Sequence, residues 1–265
     1  MEKVTILKGN SPLVLGFPHA GTWVPDDVFE CLNHRGKTLS DTDWHIEKLY
    51  EGLLSDVTSV SANFHRYVVD ANRDPSGISL YPGENTTDLV PLTDFDGFAI
   101  WKHEPTKKEI DERTKHFHSA YHAALQRELN RIKSIHGFVV LYDCHSIRSV
   151  IPHLFKGILP DLNIGTNSGR SCDPVLSDRI ENICDQQADY NYVFNGRFKG
   201  GWTTRYYGQP ETKVHAIQME ISQATYLVDE HKDWNFDEKK SKRLRPVLSK
   251  ILSSLTQTSF NHGES

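Results

Sequence analysis

A three-layer α/β fold, with helices on both faces of a central, mostly parallel mixed sheet, is the architecture this 265-residue chain predicts. Three observations carry that expectation. Short apolar runs alternate with stretches of helical periodicity, which is the rhythm of strands joined by crossover helices. Residues 138–142 (FVVLY) are apolar or aromatic at every position, as in a central strand covered on both faces. No internal repeat, low-complexity tract or Pro/Ser-rich linker interrupts the chain, so residues 1–265 are expected to form a single domain.

The elements follow in order. The run LVLGF over residues 13–17 reads as a buried strand that stops at Pro18-His19-Ala20-Gly21. Across 43–54, Ile46, Leu49, Tyr50, Leu53 and Leu54 fall at helical spacing. Residues 57–60 and 67–70 read as further strands. Pro75, Gly77, Pro82, Gly83, Pro91 and Gly97 make 74–98 a long loop, and loops of that length in compact domains tend to be functional. A helix is expected over 106–135. Thr106 and Glu109 form a capping box, Ile110, Phe117, Tyr121, Ala124, Leu125, Ile132 and Ile135 mark its apolar face, and Gly137 ends it. The strand 138–142 comes next. Asp173 and Pro174 then open a helix as cap and first residue. Residues 214–221 form a strand, and a final helix covers 237–255, with Pro246 expected to kink or interrupt it.

Composition excludes several classes of function. Lys plus Arg total 30 and Asp plus Glu 35, a formal net charge of -5, so nothing in the overall charge favours nucleic acid or an anionic membrane. No run approaches the 18 or so apolar residues of a membrane-spanning helix. The first residues lack a basic start followed by a long apolar core, and the four cysteines show no C-x-x-C pair. Reduced thiols in a cytoplasmic protein are the expectation. Nothing in the sequence sets an oligomeric state.

The informative feature is that apolar runs end in residues of metal-ligand type. Ligands in open α/β sheets bind outside the carboxyl ends of strands. Here one run ends at His19, a second at Asp143-Cys144-His145-Ser146, and a third carries Glu220 near its end. A single histidine after a strand is usually a hydrogen-bonded structural residue; three such ends in one sheet point to a site. Two histidines and one carboxylate with an open position make up a catalytic zinc centre. The further ligand is expected from Asp41-Thr42-Asp43, either acid of which can instead cap the following helix. Asp43 is preferred and Asp41 is the alternative. Cys144 and His145, as strand neighbours, point to opposite faces, which argues against a thiol–imidazole dyad. His118 and His122, four apart on the long helix, offer a second ligand pair, although a solvated or half-buried helix face is the commoner reading. Arg73 can clamp a carboxylate with Asn72 adding a donor and Arg66 close by, or it forms an ordinary surface ion pair. Thr203 and Arg205, behind the Gly200-Gly201 turn, form a second candidate anion site.

The segments FPHAGTWVP, SDTDWH, HRYVVDANRDPSG, LYDCHSI, GRFKGGWTTRYYG and HAIQMEISQATYL, in this order from about residue 12 to 230, together resemble the N-formylglutamate amidohydrolase (deformylase) family. The resemblance implies a phosphorylase/hydrolase-like α/β/α fold related to zinc carboxypeptidases and aspartoacylase. It implies one divalent metal, Zn²⁺, and hydrolysis of a small acidic substrate, N-formyl-L-glutamate, to formate and L-glutamate in histidine breakdown. The family's metal positions fall on His19, the Asp41/Asp43 pair and His145. Asn72 and Arg73 resemble the substrate-binding Asn-Arg of the carboxypeptidase relatives, and Glu220 occupies the place of their general base. The carboxypeptidase relatives use H-x-x-E, and Thr22 stands in place of that Glu. Glutamate carries two carboxylates, so Arg73 and Arg205 are expected to hold one each, with Arg66 in reserve. The competing readings are a deacylase for another N-acyl amino acid or short peptide, and a non-catalytic module that binds small acidic ligands.

Overall fold

In the computed structural model, which describes residues 2–78 and 85–257, the apolar runs pair into one seven-stranded sheet. Its strands are β1 (Val4–Leu7), β2 (Leu13–Phe17), β3 (Thr58–Ala62), β4 (Val139–Ile147), β5 (Leu162–Gly165), β6 (Tyr192–Phe194) and β7 (Val214–Ser222), in the spatial order β1-β3-β2-β4-β7-β5-β6. Neighbours β3-β2, β2-β4, β4-β7 and β5-β6 are parallel, while β1-β3 and β7-β5 are antiparallel. The helices are α1 (Asp26–Cys31), α2 (Ile46–Tyr50), α3 (Lys107–Arg113), α4 (Ser119–His136), α5 (Pro174–Asp185), α6 (Trp202–Tyr207) and α7 (Glu238–Thr256).

Strand alternation gives the sheet two apolar faces. Leu13, Leu15, Phe17, Tyr142, Ile217 and Met219 pack with residues of α2, α5 and α7. Val14, Val60, Val139, Leu141 and Ala216 pack with α4 and with Val28 of α1. These are the three layers that the sequence predicts. Each aliphatic side chain buried in this way is worth about 1.5–3 kcal/mol relative to exposure.

Local chemistry fixes the long helix. Thr106 and Glu109 form the expected capping box, and Gly137 closes the far end at φ 75°. Between α3 and α4 the chain makes one π turn, Thr114–His118. Ile135 departs from the apolar face and is 52% exposed. Asp173 caps α5 by accepting from Val175 N, with Pro174 as first residue. α7 runs through Pro246 without interruption. Pro246 and Lys242, the residue one turn earlier whose carbonyl loses its donor, are both exposed, so water can satisfy that group.

Three other expectations change. The helix over 43–54 shrinks to α2. Residues 67–70 form no strand; Tyr67, Val68 and Val69 are fully buried within a turn that begins with Val68 N donating to His65 O at 2.9 Å. Their apolar character reflects burial and not β pairing. β4 continues to Ile147, well past the apolar run, because Asp143 and His145 find buried partners in the sheet. Of the loop 74–98, residues 79–84 lie outside the described residues. The four cysteines are free, and no described helix is long and apolar enough to cross a membrane.

Candidate active site

His19, at the end of β2, and His145, within β4, turn their rings toward each other with Nδ1 atoms 3.2 Å apart. Each ring offers its other nitrogen to a buried carboxylate: His19 Nε2 lies 2.7 Å from Asp70 Oδ1, and His145 Nε2 lies 3.1 Å from Asp143 Oδ2. With a cation bound, Nε2–H donation to these carboxylates would leave both Nδ1 lone pairs facing inward, an arrangement in which outer carboxylates orient metal-binding histidines. Arg66 donates to His19 Nδ1, consistent with that tautomer. Asp43 completes the group, with Oδ2 3.3 Å from His145 Nδ1 and 3.9 Å from His19 Nδ1. One ligand atom from each of His19, Asp43 and His145 lies within 4.8 Å of the others, and all three residues are buried. Two imidazole nitrogens and a carboxylate oxygen converging in a buried pocket form a donor set that fits a divalent cation.

The backbone explains the placement of Asp43. Its N–H donates to His19 O at 3.1 Å, and its Oδ2 accepts from Ser146 N at 3.1 Å, so it ties the ends of β2 and β4 together. Asp41 is buried but is not one of the three converging residues, and it accepts from Phe95 N at 3.0 Å. Neither acid caps α2; His45, in the left-handed region at φ 57°, is the capping residue and makes no side-chain capping bond.

Electrostatics distinguish the acids. Burial pushes Asp41 up to about 7. Burial also opposes the charge on Asp43, yet the hydrogen bond from His145 together with His19 and Arg66 holds it below the usual range. Burial pushes His19 down to about 4, helped by Arg66. For His145 burial favours the neutral ring, but Asp143 and Asp43 outweigh it and hold the group well above the usual value.

The β4–β7 register sets Glu220 beside His145 and Gln218 beside Asp143. Burial pushes Glu220 up to about 8; His145 opposes that rise and Asp43 adds to it. Gln218 accepts from Gly201 N at 2.7 Å through Oε1, so its amide nitrogen faces Glu220 Oε2, 3.2 Å away. The Arg66 guanidinium is buried beside these groups, 4.0 Å from Asp43 Oδ1, and lies over the Phe95 ring.

A cleft opens over this cluster. Its wall includes Arg66, Asn72, Arg73, Arg197, Phe198 and Gly201. Asn72 is held in place at two points: Oδ1 accepts from Thr203 N at 2.9 Å, and its backbone N donates to Asp70 Oδ1 at 2.8 Å. A Cβ at Gly201 would come within 2.3 Å of the Asn72 amide, so the close approach requires glycine. Thr203 is fully buried and contributes this backbone N–H, while its hydroxyl is not part of the cleft wall. Arg73 donates to Thr87 O and Oγ1, both at 2.9 Å. Arg205 is not among the residues lining the cleft; its Nε donates to Gly200 O at 2.9 Å, and Arg197 takes the position on the wall.

Asp70, Asp143, Gln218 and Arg197 were not singled out by the sequence. Asp143 carried a signal: two residues before His145 in a strand, it must share His145's face. The helix histidines also differ from a solvated face. His118 and His122 are both buried and hydrogen-bond backbone carbonyls, Arg73 O at 2.9 Å and Ala71 O at 2.8 Å respectively.

Burial holds His122 down at about 3 and His215 at about 4. The unfolded chain, where histidine titrates near 6.5, therefore binds more protons than the folded one as pH falls below that value. Stability present at neutral pH is expected to be lost progressively from about pH 6.5 toward 4. Urea unfolding of His122→Gln should show a slope shallower by about 1.4 kcal/mol per pH unit, one proton's worth. An unchanged slope would show that His122 is not buried as a neutral ring.

The fold and the site together define an α/β protein with a buried His–Asp–His group, able to hold a metal ion, at the carboxyl ends of parallel strands, an arrangement that metal-dependent hydrolases use. The N-formylglutamate amidohydrolase family profile matches residues 11–227, and the chain belongs to that family. It is 40% identical over 259 residues to the N-formylglutamate deformylase of Pseudomonas putida, covering 96% of each chain. To the N-formylglutamate deformylase of Pseudomonas aeruginosa it is 41% identical over 258 residues, again covering 96% of each. A crystal structure of N-formylglutamate amidohydrolase from Ralstonia eutropha JMP134 superposes with a TM-score of 0.81 at 23% identity, covering 97% of this chain and 98% of that one, and shows the same fold.

Proposed function

We propose that this protein hydrolyses N-formyl-L-glutamate to formate and L-glutamate, using one divalent ion, zinc, held by His19, Asp43 and His145, and that it serves histidine breakdown in the cytoplasm. The observation that carries this reading is the register placing Glu220 next to the buried His19–Asp43–His145 group. Family membership and two relatives named N-formylglutamate deformylase supply the substrate.

Held by His19, Asp43 and His145, a zinc ion would supply a Lewis acid able to acidify water and polarise a carbonyl. Glu220 takes a proton from the attacking water and delivers one to the amide nitrogen as the C–N bond breaks. Arg66, buried beside the ligand atoms, donates to the oxygen on which charge develops. Asn72, Arg73 and Arg197, all lining the cleft, bind the glutamyl carboxylates.

A bidentate guanidinium–carboxylate pair needs the planar fork, so lysine is a poor replacement. Arg73→Lys and Arg197→Lys are each expected to weaken kcat/KM by about 1.5–3 kcal/mol. One of them should also lose discrimination against N-formyl-L-glutamine, which lacks the side-chain carboxylate. Arg205→Lys should change kcat/KM by no more than about two-fold, the scale of an ordinary surface change. If Arg205→Lys is the damaging variant and Arg197→Lys the silent one, the assignment is reversed.

The functional test is formate release by purified, zinc-supplied protein, with N-formyl-L-glutamate and N-acetyl-L-glutamate compared. Formate released in step with L-glutamate, and faster than acetate, is expected. No formate, or faster deacetylation, rejects the reading.

A further inference from the structure

The long helix carries two buried histidines that the proposed mechanism does not use, and both reach the same short segment. His122 Nε2 lies 2.8 Å from Ala71 O, and His118 Nε2 lies 2.9 Å from Arg73 O. A carbonyl can only accept, so both rings carry hydrogen on Nε2. Tyr207 OH, 3.0 Å from His122 Nδ1, holds the second nitrogen of that ring. The two gripped carbonyls flank Asn72, whose Oδ1 accepts from Thr203 N and whose backbone N donates to Asp70, and they adjoin Arg73 on the cleft wall. The residues around the pair come from α6: Trp202 packs against both rings, with centroids 5.3 Å from His118 and 4.6 Å from His122, and Tyr207 stacks on His122. The π turn Thr114–His118 ends at the first of the two histidines. Such turns recur at functional sites because the extra residue re-aims the side chains that follow.

We propose that His118 and His122 are positioning residues, a two-point clamp through which the long helix fixes the backbone of residues 71–73 and so sets Asn72 and Arg73 for substrate binding. The clamp rests on the reading of Asn72 and Arg73 as substrate-binding residues. It acts through backbone carbonyls and touches neither the metal-ligand group nor the substrate. Its signature is therefore a change in KM with metal content preserved.

The test uses full-length, zinc-supplied protein with His118→Leu, His122→Leu and the corresponding Gln and Asn variants. Glutamine places an N–H donor near the position of Nε2, whereas the shorter asparagine does not reach the carbonyl. The Leu and Asn variants should raise KM for N-formyl-L-glutamate about 10-fold, as expected for one lost buried hydrogen bond, with kcat little changed and one zinc per chain retained. The Gln variants should return KM to near the parent value. Unchanged KM in folded Leu variants, or Gln variants as impaired as Asn, overturns the clamp. If a Leu variant does not fold, the comparison of Gln with Asn decides alone. Amide exchange across residues 70–73 separates the clamp from the substrate assignment. Exchange should be about 10-fold faster in Asn than in Gln variants whether or not the parent releases formate. Equal exchange in the two overturns the clamp even where the parent is active, and a parent that releases no formate while exchange differs overturns only the substrate.

Discussion

Glu220→Gln should lower kcat for N-formyl-L-glutamate by about 10²–10⁴-fold, the range for loss of a general acid–base group, while zinc binding is retained. The amide is close to the carboxylate in size, and Gln218 still faces it from the same strand, so packing is preserved. What disappears is the capacity to accept a proton. Glu220 is not one of the three convergent ligand residues, so removing its charge leaves the group of His19, Asp43 and His145 complete. Metal analysis alongside single-turnover kinetics checks both halves. A variant that loses zinc would make Glu220 a ligand, and one that keeps near-parent turnover would make it a bystander.

His19→Ala should abolish zinc binding and formate release together. The substitution removes one of the three proposed ligands and leaves Asp70, which is fully buried and accepts from His19 Nε2, without that partner. Asp70→Asn is the milder version. It keeps the ligand set but weakens the hold on ring orientation, and should cost about 10–100-fold in metal affinity, as outer partners of metal-binding histidines typically do. Isothermal titration of chelator-stripped protein with zinc measures both. Full zinc affinity in His19→Ala would remove that residue from the ligand set.

Legibility in the sequence followed how local the determining physics was. The capping box at Thr106 and Glu109, the close at Gly137 and the Asp173-Pro174 start are contained within a few residues, and each appears where expected. The extension of β4 was hidden because Asp143 and His145 look like the polar end of a strand. Only the sheet shows that β7 pairs with them to Ile147 and that their polar atoms are partnered inside. Asp43 and Asp41 could not be separated by type or spacing; the N–H of Ser146, more than a hundred positions away, draws Asp43 into the group, while Phe95 N occupies Asp41. Arg205 looked suitable because it follows two glycines. Gly201 does make the close approach, but to Asn72, and Arg197 provides the guanidinium on the cleft wall. Tyr67, Val68 and Val69 show the limit of reading apolar runs as strands, since a buried turn has the same composition.

The central claim is that a single ion at His19, Asp43 and His145 drives formyl hydrolysis, and stoichiometric reconstitution tests it most directly. Protein stripped with a chelator and titrated with zinc should release no formate from N-formyl-L-glutamate at the start, then gain activity linearly and level off at one equivalent per chain. Full activity in the stripped protein, or a break at two equivalents, would contradict the account.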